Sequence, residues 1–249
     1  MSDFNRGFTS IPAGRADMAV DAGLRSFMLG VYNKVALGLL LSAALAYATT
    51  AVEPIRDLLY TVSPEGRLVN ITMLGMAVRF APLIAVLVGM FGMRNPSPRS
   101  SGIYYWTIVS LLGMGAGFWL LLYTGASVAS TFLITAAAFG ALSLAGYTTK
   151  KDLTGFGSFL IMGLVGLVLA SLVSIFFHSP ALVFIINILG VFIFAGLIAY
   201  DTQRLKMTYY QLGGNQAAMG VATNFGALNL YLNFINLFQF LLNIFGSRR

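Results

Sequence analysis

The stretch FGALNLYLNFINLFQFLLNIF, residues 225–245, decides how this chain is read. It is apolar enough to cross a bilayer, yet it carries Asn229, Asn233, Asn236, Gln239 and Asn243. At about 100° per residue the four asparagines fall within about 80° of arc, so a hydrocarbon-compatible helix owns one wet stripe. Amides in hydrocarbon must find partners or water, and they usually face a bundle interior or an aqueous cavity. Two readings of the stripe follow: the wall of a wet path, or interhelical hydrogen bonding alone.

Outward from that stretch, composition sets the class. With 58% hydrophobic and 9% charged residues, and a mean hydropathy of +0.83, the chain exceeds what one soluble core of this length holds. It reads as an integral membrane protein, with room for roughly seven spans of about 20 residues. Apolar segments run over 26–51, 71–93, 103–123, 127–147, 155–177, 181–200 and 218–245. The second is interrupted by Arg79, whose long stem is expected to snorkel from interfacial first turns. The fold expected is all-α: a polytopic protein with seven transmembrane helices forming one domain, 26–249. Residues 1–25 are polar and lack a cleavable signal's apolar core, so they read as a flexible cytoplasmic tail. Spans three to six are joined by short connections and should be antiparallel neighbours.

An internal amino terminus places Arg6, Arg15, Arg25, Lys34, Arg94, Arg99, Lys150, Lys151, Arg204 and Lys206 on the cytoplasmic side, leaving Arg56, Arg67, Arg79, Arg248 and Arg249 outside. The positive-inside rule favours that orientation. A re-entrant last helix would bring Arg248 and Arg249 inside, and charge counting does not decide between the two. The net charge of +7 is therefore a topology signal. No nucleic-acid partner is expected, because the basic residues form no stripe with interleaved aromatics. Gly113 with Gly117, and Gly163, Gly166, Ala170 and Ser174 on one side of the fifth span, are read as close helix contacts or, more sharply, as hinges.

Catalytic constellations fail on inventory. The chain has no cysteine and one histidine, His178, in the turn between spans five and six, so neither a zinc cage nor a local serine triad can be built. An intramembrane aspartyl protease needs two carboxylates sharing a proton, whereas only Asp201 directly follows a span, with Glu53 nearest at the other face. No phosphate-cradling loop is present either. No enzyme, cofactor or metal centre is expected. Asp201, read as ending the sixth span, would meet the unfavourable end of the helix dipole. Its compensating partner is Arg204, Lys206 or a residue of the last helix.

The chain resembles the Bax inhibitor-1 (TMBIM) family, bacterial branch, over residues 26–245. The motifs that carry the likeness are Ser130-Thr131-Phe132 with Phe139-Gly140, Lys150-Lys151-Asp152-Leu153 with Gly157-Ser158-Phe159-Leu160, Ala199-Tyr200-Asp201, and Leu230-Tyr231-Leu232-Asn233-Phe234-Ile235-Asn236-Leu237-Phe238. The resemblance implies six helices around a central seventh, in the bacterial inner membrane. It also implies pH-sensitive calcium leak and protection against stress, with some bacterial relatives acting on a membrane AAA protease. In the leak mechanism an aspartate ending helix six pairs with another on helix seven, and a basic residue after helix two helps hold the closed state. By motif Asp201 matches the first aspartate and Arg94 the basic residue.

One departure matters: Asn233 stands where the family commonly has the second aspartate. The expected ion path then comprises Asp201, Asn233, Arg94, Asn229, Asn236 and Asn243, with weakened pH gating, because an amide can donate to ionised Asp201 or accept from its protonated form. The alternative is a non-conducting regulator that binds a membrane protease or another membrane partner, through a tail bearing Phe4 and Phe8.

Overall fold

A computed structural model describes residues 13–177 and 179–249, with side-chain detail excluding residues 13–21 and Met90. The expectations about His178, Phe4 and Phe8 fall outside the described residues. The elements are α1 (Ala13–Ala51), α2 (Glu53–Leu59), β1 (Tyr60–Val62), β2 (Leu68–Ile71), α3 (Met73–Gly92), α4 (Pro98–Leu122), α5 (Gly125–Thr148), α6 (Thr154–Phe177), α7 (Pro180–Gln211) and α8 (Gln216–Phe245). Small polar residues start the helices as sequence rules require. Thr72, Ser97, Thr124, Ser179 and Asn215 each accept a bond from a backbone amide in the following turn of α3, α4, α5, α7 and α8. The antiparallel β1–β2 hairpin, turning through Gly66 at φ 74°, was not anticipated.

Six helices are long and apolar enough to cross a membrane, and α3 contributes a shorter apolar run, Met73–Gly89. All seven expected segments fall on α1 and α3–α8, but two boundaries differ. The backbone is already helical from Ala13, so the expected tail boundary near residue 25 is not a helix boundary. At the other extreme α7 runs 32 residues to Gln211, well past Tyr200. At about 1.5 Å per residue it measures about 48 Å, against about 30 Å of hydrocarbon. Hydropathy ends where the helix does not: residues 201–211 are largely polar but contain no glycine or proline, and the helix stops before Gly213 and Gly214, at φ 54° and 85°. Asp201 is thus internal to α7, and the dipole argument made for it does not apply.

The centre is α8, the most buried of the six long spans, packed on α1, α4, α5 and α7. Leu230, Tyr231, Phe234, Leu237 and Leu242 are almost wholly enclosed. Ser42 of α1 bonds the Tyr231 hydroxyl at 2.6 Å and the Val109 carbonyl at 3.1 Å, tying α8, α1 and α4 into one block. Short connections did not make packed neighbours of every consecutive pair. Among the described residues α5 shares no extended interface with α6, which packs on α7, while α3 packs on α4. A seam is left between α3 and α6.

Two glycine readings separate. A Cβ at Gly113 would lie 2.7 Å from the Ser42 Cα, and one at Gly117 would strike Thr49, so this pair is a tight α4–α1 contact. By contrast a Cβ at Gly163 would make ordinary contact with Ile193 at 3.4 Å, and one at Gly166 would meet nothing within 4 Å. The small side of the fifth span is a groove wall instead. Arg79, expected to snorkel, stacks 3.9 Å over the Phe118 ring.

Because α8 is one unbroken helix of 30 residues, the re-entrant alternative is excluded. The last residues return to the α4–α5 turn: Thr124 N donates to Ser247 O at 3.0 Å, Arg249 N to Leu122 O at 3.1 Å, and Ser247 N to Ser127 Oγ at 3.0 Å. Arg248 and Arg249 therefore lie at the end opposite the α5–α6 and α7–α8 turns.

Candidate functional site at the α7–α8 seam

Three consecutive residues of α7 reach three different neighbours. Asp201 Oδ2 accepts from Asn233 Nδ2 of α8 at 2.7 Å. Thr202, fully enclosed, pairs its hydroxyl with Tyr32 of α1 at 3.3 Å. Gln203, 8% exposed, accepts from Leu153 N and donates to Lys151 O, both at 2.8 Å, clasping the α5–α6 turn. At about 100° per residue consecutive side chains must fan apart, and each direction here has a polar partner. One turn further on, Lys206 Nζ donates to Tyr147 O at 3.3 Å and lies 5.3 Å over that ring. In the clasped turn Asp152 accepts from Thr154 N at 2.8 Å, and bonding to Thr154, through its side chain and then its amide, holds the Asp152 carboxyl below the usual carboxylate range.

Asp201, Arg204 and Asn229 line both of two adjoining cavities. One, about 160 Å³, continues past Leu205 and Thr208 of α7 and Ala222 of α8. The other, about 670 Å³, lies in the α3–α6 seam, with Leu83 and Val86 on one wall, Leu164 and Ile175 on another, and Asn233 and Asn236 on its floor. Among the described residues, Asp201 and Arg204 are the only charged ones that line either. They make no ion pair: among the described residues the single one is Arg56 with Asp57. The partner of Asp201 is thus the amide on the last helix.

The asparagine stripe divides by depth. Asn229, Asn233 and Asn236 face the cavities, although Asn236 also donates back to Leu232 O at 2.8 Å. Asn243, about 15 Å further along α8 than Asn233, belongs to a separate network: its Nδ2 donates to Asn187 at 3.2 Å and its Oδ1 accepts from the Tyr123 hydroxyl at 3.1 Å. Arg94 is exposed in the α3–α4 turn and, among the described residues, bonds neither Asp201 nor any other side chain. The structure brings together Asp201, Asn233, Asn229 and Asn236, and leaves Arg94 and Asn243 apart. Thr202 and Gln203 were missed by sequence reasoning. Their adjacency to Asp201 was the one available signal, since the partners of Gln203 are backbone atoms about fifty residues away.

The family model described as "Inhibitor of apoptosis-promoting Bax1" matches residues 24–249. Among similar proteins, one from Caulobacter vibrioides is 68% identical over the whole of both chains. The protein RP147 of Rickettsia prowazekii is 40% identical, also over the whole of both. The inner membrane protein YbhL of Escherichia coli is 40% identical over 94% of this chain and 98% of its own. With a membrane-type fold and that match over nearly its full length, the chain belongs to the Bax inhibitor-1 family of integral membrane proteins.

Proposed function

We propose that this chain is a seven-span protein of the bacterial inner membrane, α3 supplying the seventh span and the amino terminus lying inside, which leaks small cations, calcium or protons, along the α7–α8 seam. The observation that carries this reading is the Asn233–Asp201 bond at the junction of two cavities. No enzymatic step enters it. Two facing carboxylates resist double ionisation, which makes their hydrogen bond depend on a proton near working pH. An aspartate facing an amide differs: Asn233 donates to the ionised form and, turned over, accepts from the protonated one. The latch persists through the titration, so gating by pH is shallow. One carboxylate beside the Arg204 guanidinium also attracts cations weakly, and hard divalent ions favour several oxygen ligands, so strong calcium selectivity is not expected.

Flux of calcium and protons through proteoliposomes tests this. Asn233→Asp should steepen the pH response relative to wild type, and Asp201→Asn should lower flux or alter closure. Equal pH profiles for wild type and Asn233→Asp would refute the amide argument, and unchanged flux in Asp201→Asn would remove the carboxylate from the path. A second reading, a regulator held against a membrane protease or another membrane partner, is favoured by α6, whose one extended interface among the described residues is with α7 and which leaves Met162, Val165 and Leu169 exposed. Deleting residues 1–12, which precede α1, separates the two: a regulator acting through that segment loses its partner, whereas a pore keeps conducting.

A further inference from the structure

A different groove, of about 680 Å³, lies between α1 and α5, away from the α3–α6 seam. These two helices share no extended interface among the described residues, and α7 stands behind the gap, where Thr202 meets Tyr32 and Lys206 meets Tyr147. The antiparallel run sets Arg25 level with Tyr147 at one end and Tyr32 level with Phe139 at the other. There the Tyr32 and Phe139 rings meet edge to face at 6.2 Å and close the deep end. The apolar segment of α1 begins at Ser26, so Arg25 stands immediately before it, at the level of the bilayer boundary. From there to Tyr32 is about 10 Å along the helix.

Four features make this more than a gap between helices. A Cβ at Gly140, in the groove wall, would meet nothing within 4 Å. Ser143, in the same wall and 5% exposed, has a buried hydroxyl with no protein partner. Arg25 is exposed and makes no bond or ion pair through its side chain among the described residues. Finally, Arg25 is the one charged residue among the described residues that line the groove, and Lys206 adds positive charge from behind it, bonded to Tyr147 O. A cation at the mouth of a slot of Met28, Leu29, Phe139 and Leu144 matches an amphiphile with a negative head and an apolar tail.

We infer that the α1–α5 groove is a binding site for one anionic phospholipid, its phosphate at the Arg25 end and an acyl chain laid towards the Tyr32–Phe139 rings. The glycerol ester region then comes to the level of the unpartnered Ser143 hydroxyl, relieving the cost of a buried donor without an acceptor. A zwitterionic lipid fills the same slot without the charge match.

Native mass spectrometry of the full chain, offered phosphatidylglycerol and phosphatidylcholine with identical acyl chains, tests this. Wild type should retain the anionic lipid about fivefold in preference, the effect expected of one basic residue near a charged headgroup. Arg25→Gln should abolish the preference. Gly140→Phe, which puts a ring into open space, should reduce retention of both lipids, and if that variant fails to fold, Arg25→Gln decides alone. The inference is overturned if wild type shows no headgroup preference, if Arg25→Gln keeps it, if a folded Gly140→Phe retains as much lipid as wild type, or if soluble glycerol phosphate competes as well as the lipid.

Discussion

Asp201, Thr202 and Gln203 join α7 to α8, α1 and the α5–α6 turn through three side chains in a row. Gln203 satisfies a donor and an acceptor of one remote turn, so an apolar replacement leaves two backbone groups unpaired. Gln203→Leu should therefore destabilise by about 1–3 kcal/mol, read as a lowered unfolding midpoint in detergent, with faster amide exchange at Lys151–Thr154. An unchanged midpoint would mean that water replaces the amide. How far the site was legible follows from the same residues. Helical periodicity put Asn229, Asn233 and Asn236 on one face, because angle depends only on spacing, while the placing of Asp201 against position 233 came from the family resemblance. Periodicity did not reveal that Asn243 belongs to another layer, since depth depends on which helices stand alongside. Nor did it point to Asn233 rather than Arg204 as the partner of Asp201, because i+3 spacing permits the Arg204 pair that the folded side chains do not make.

Among the elements, α6 has its one extended interface among the described residues with α7, and its glycines divide that contact. Gly157 packs directly under the Tyr200 ring, where a Cβ would collide, whereas Gly166 faces open space. Gly157→Leu should therefore cost about 1–3 kcal/mol by overpacking, while Gly166→Leu should stay within about 0.5 kcal/mol. Paired unfolding curves check this, and equal losses would show that both glycines serve only the helix backbone. Hydropathy located α3 to α6 to within a few residues because transfer into hydrocarbon is what defines their ends. It failed for the last turns of α7, which leave the hydrocarbon while remaining helical, and it gave no sign of the β1–β2 hairpin, whose stability comes from pairing.

At the scale of the whole molecule, the two ends of the bundle differ in charge and carry opposite termini of α8. The chain lacks cysteine, so single-cysteine variants report topology cleanly. In intact cells, Arg67→Cys and Ser247→Cys should react with a membrane-impermeant maleimide, and Lys150→Cys only after the membrane is opened. The reverse pattern would invert the orientation, and labelling of Lys150→Cys and Ser247→Cys from one side would contradict an unbroken α8. That helix also leaves the ribosome after all the helices it packs against. Chains synthesise from the amino terminus, so α1, α4, α5 and α7 enter the bilayer before the column they pack against exists, and lipid must occupy its place. A product truncated before Gln216 is an α1–α4 pair and its neighbours without a centre, and residues 247–249, fastened onto the α4–α5 turn, mark the closing of a core that waits for α8.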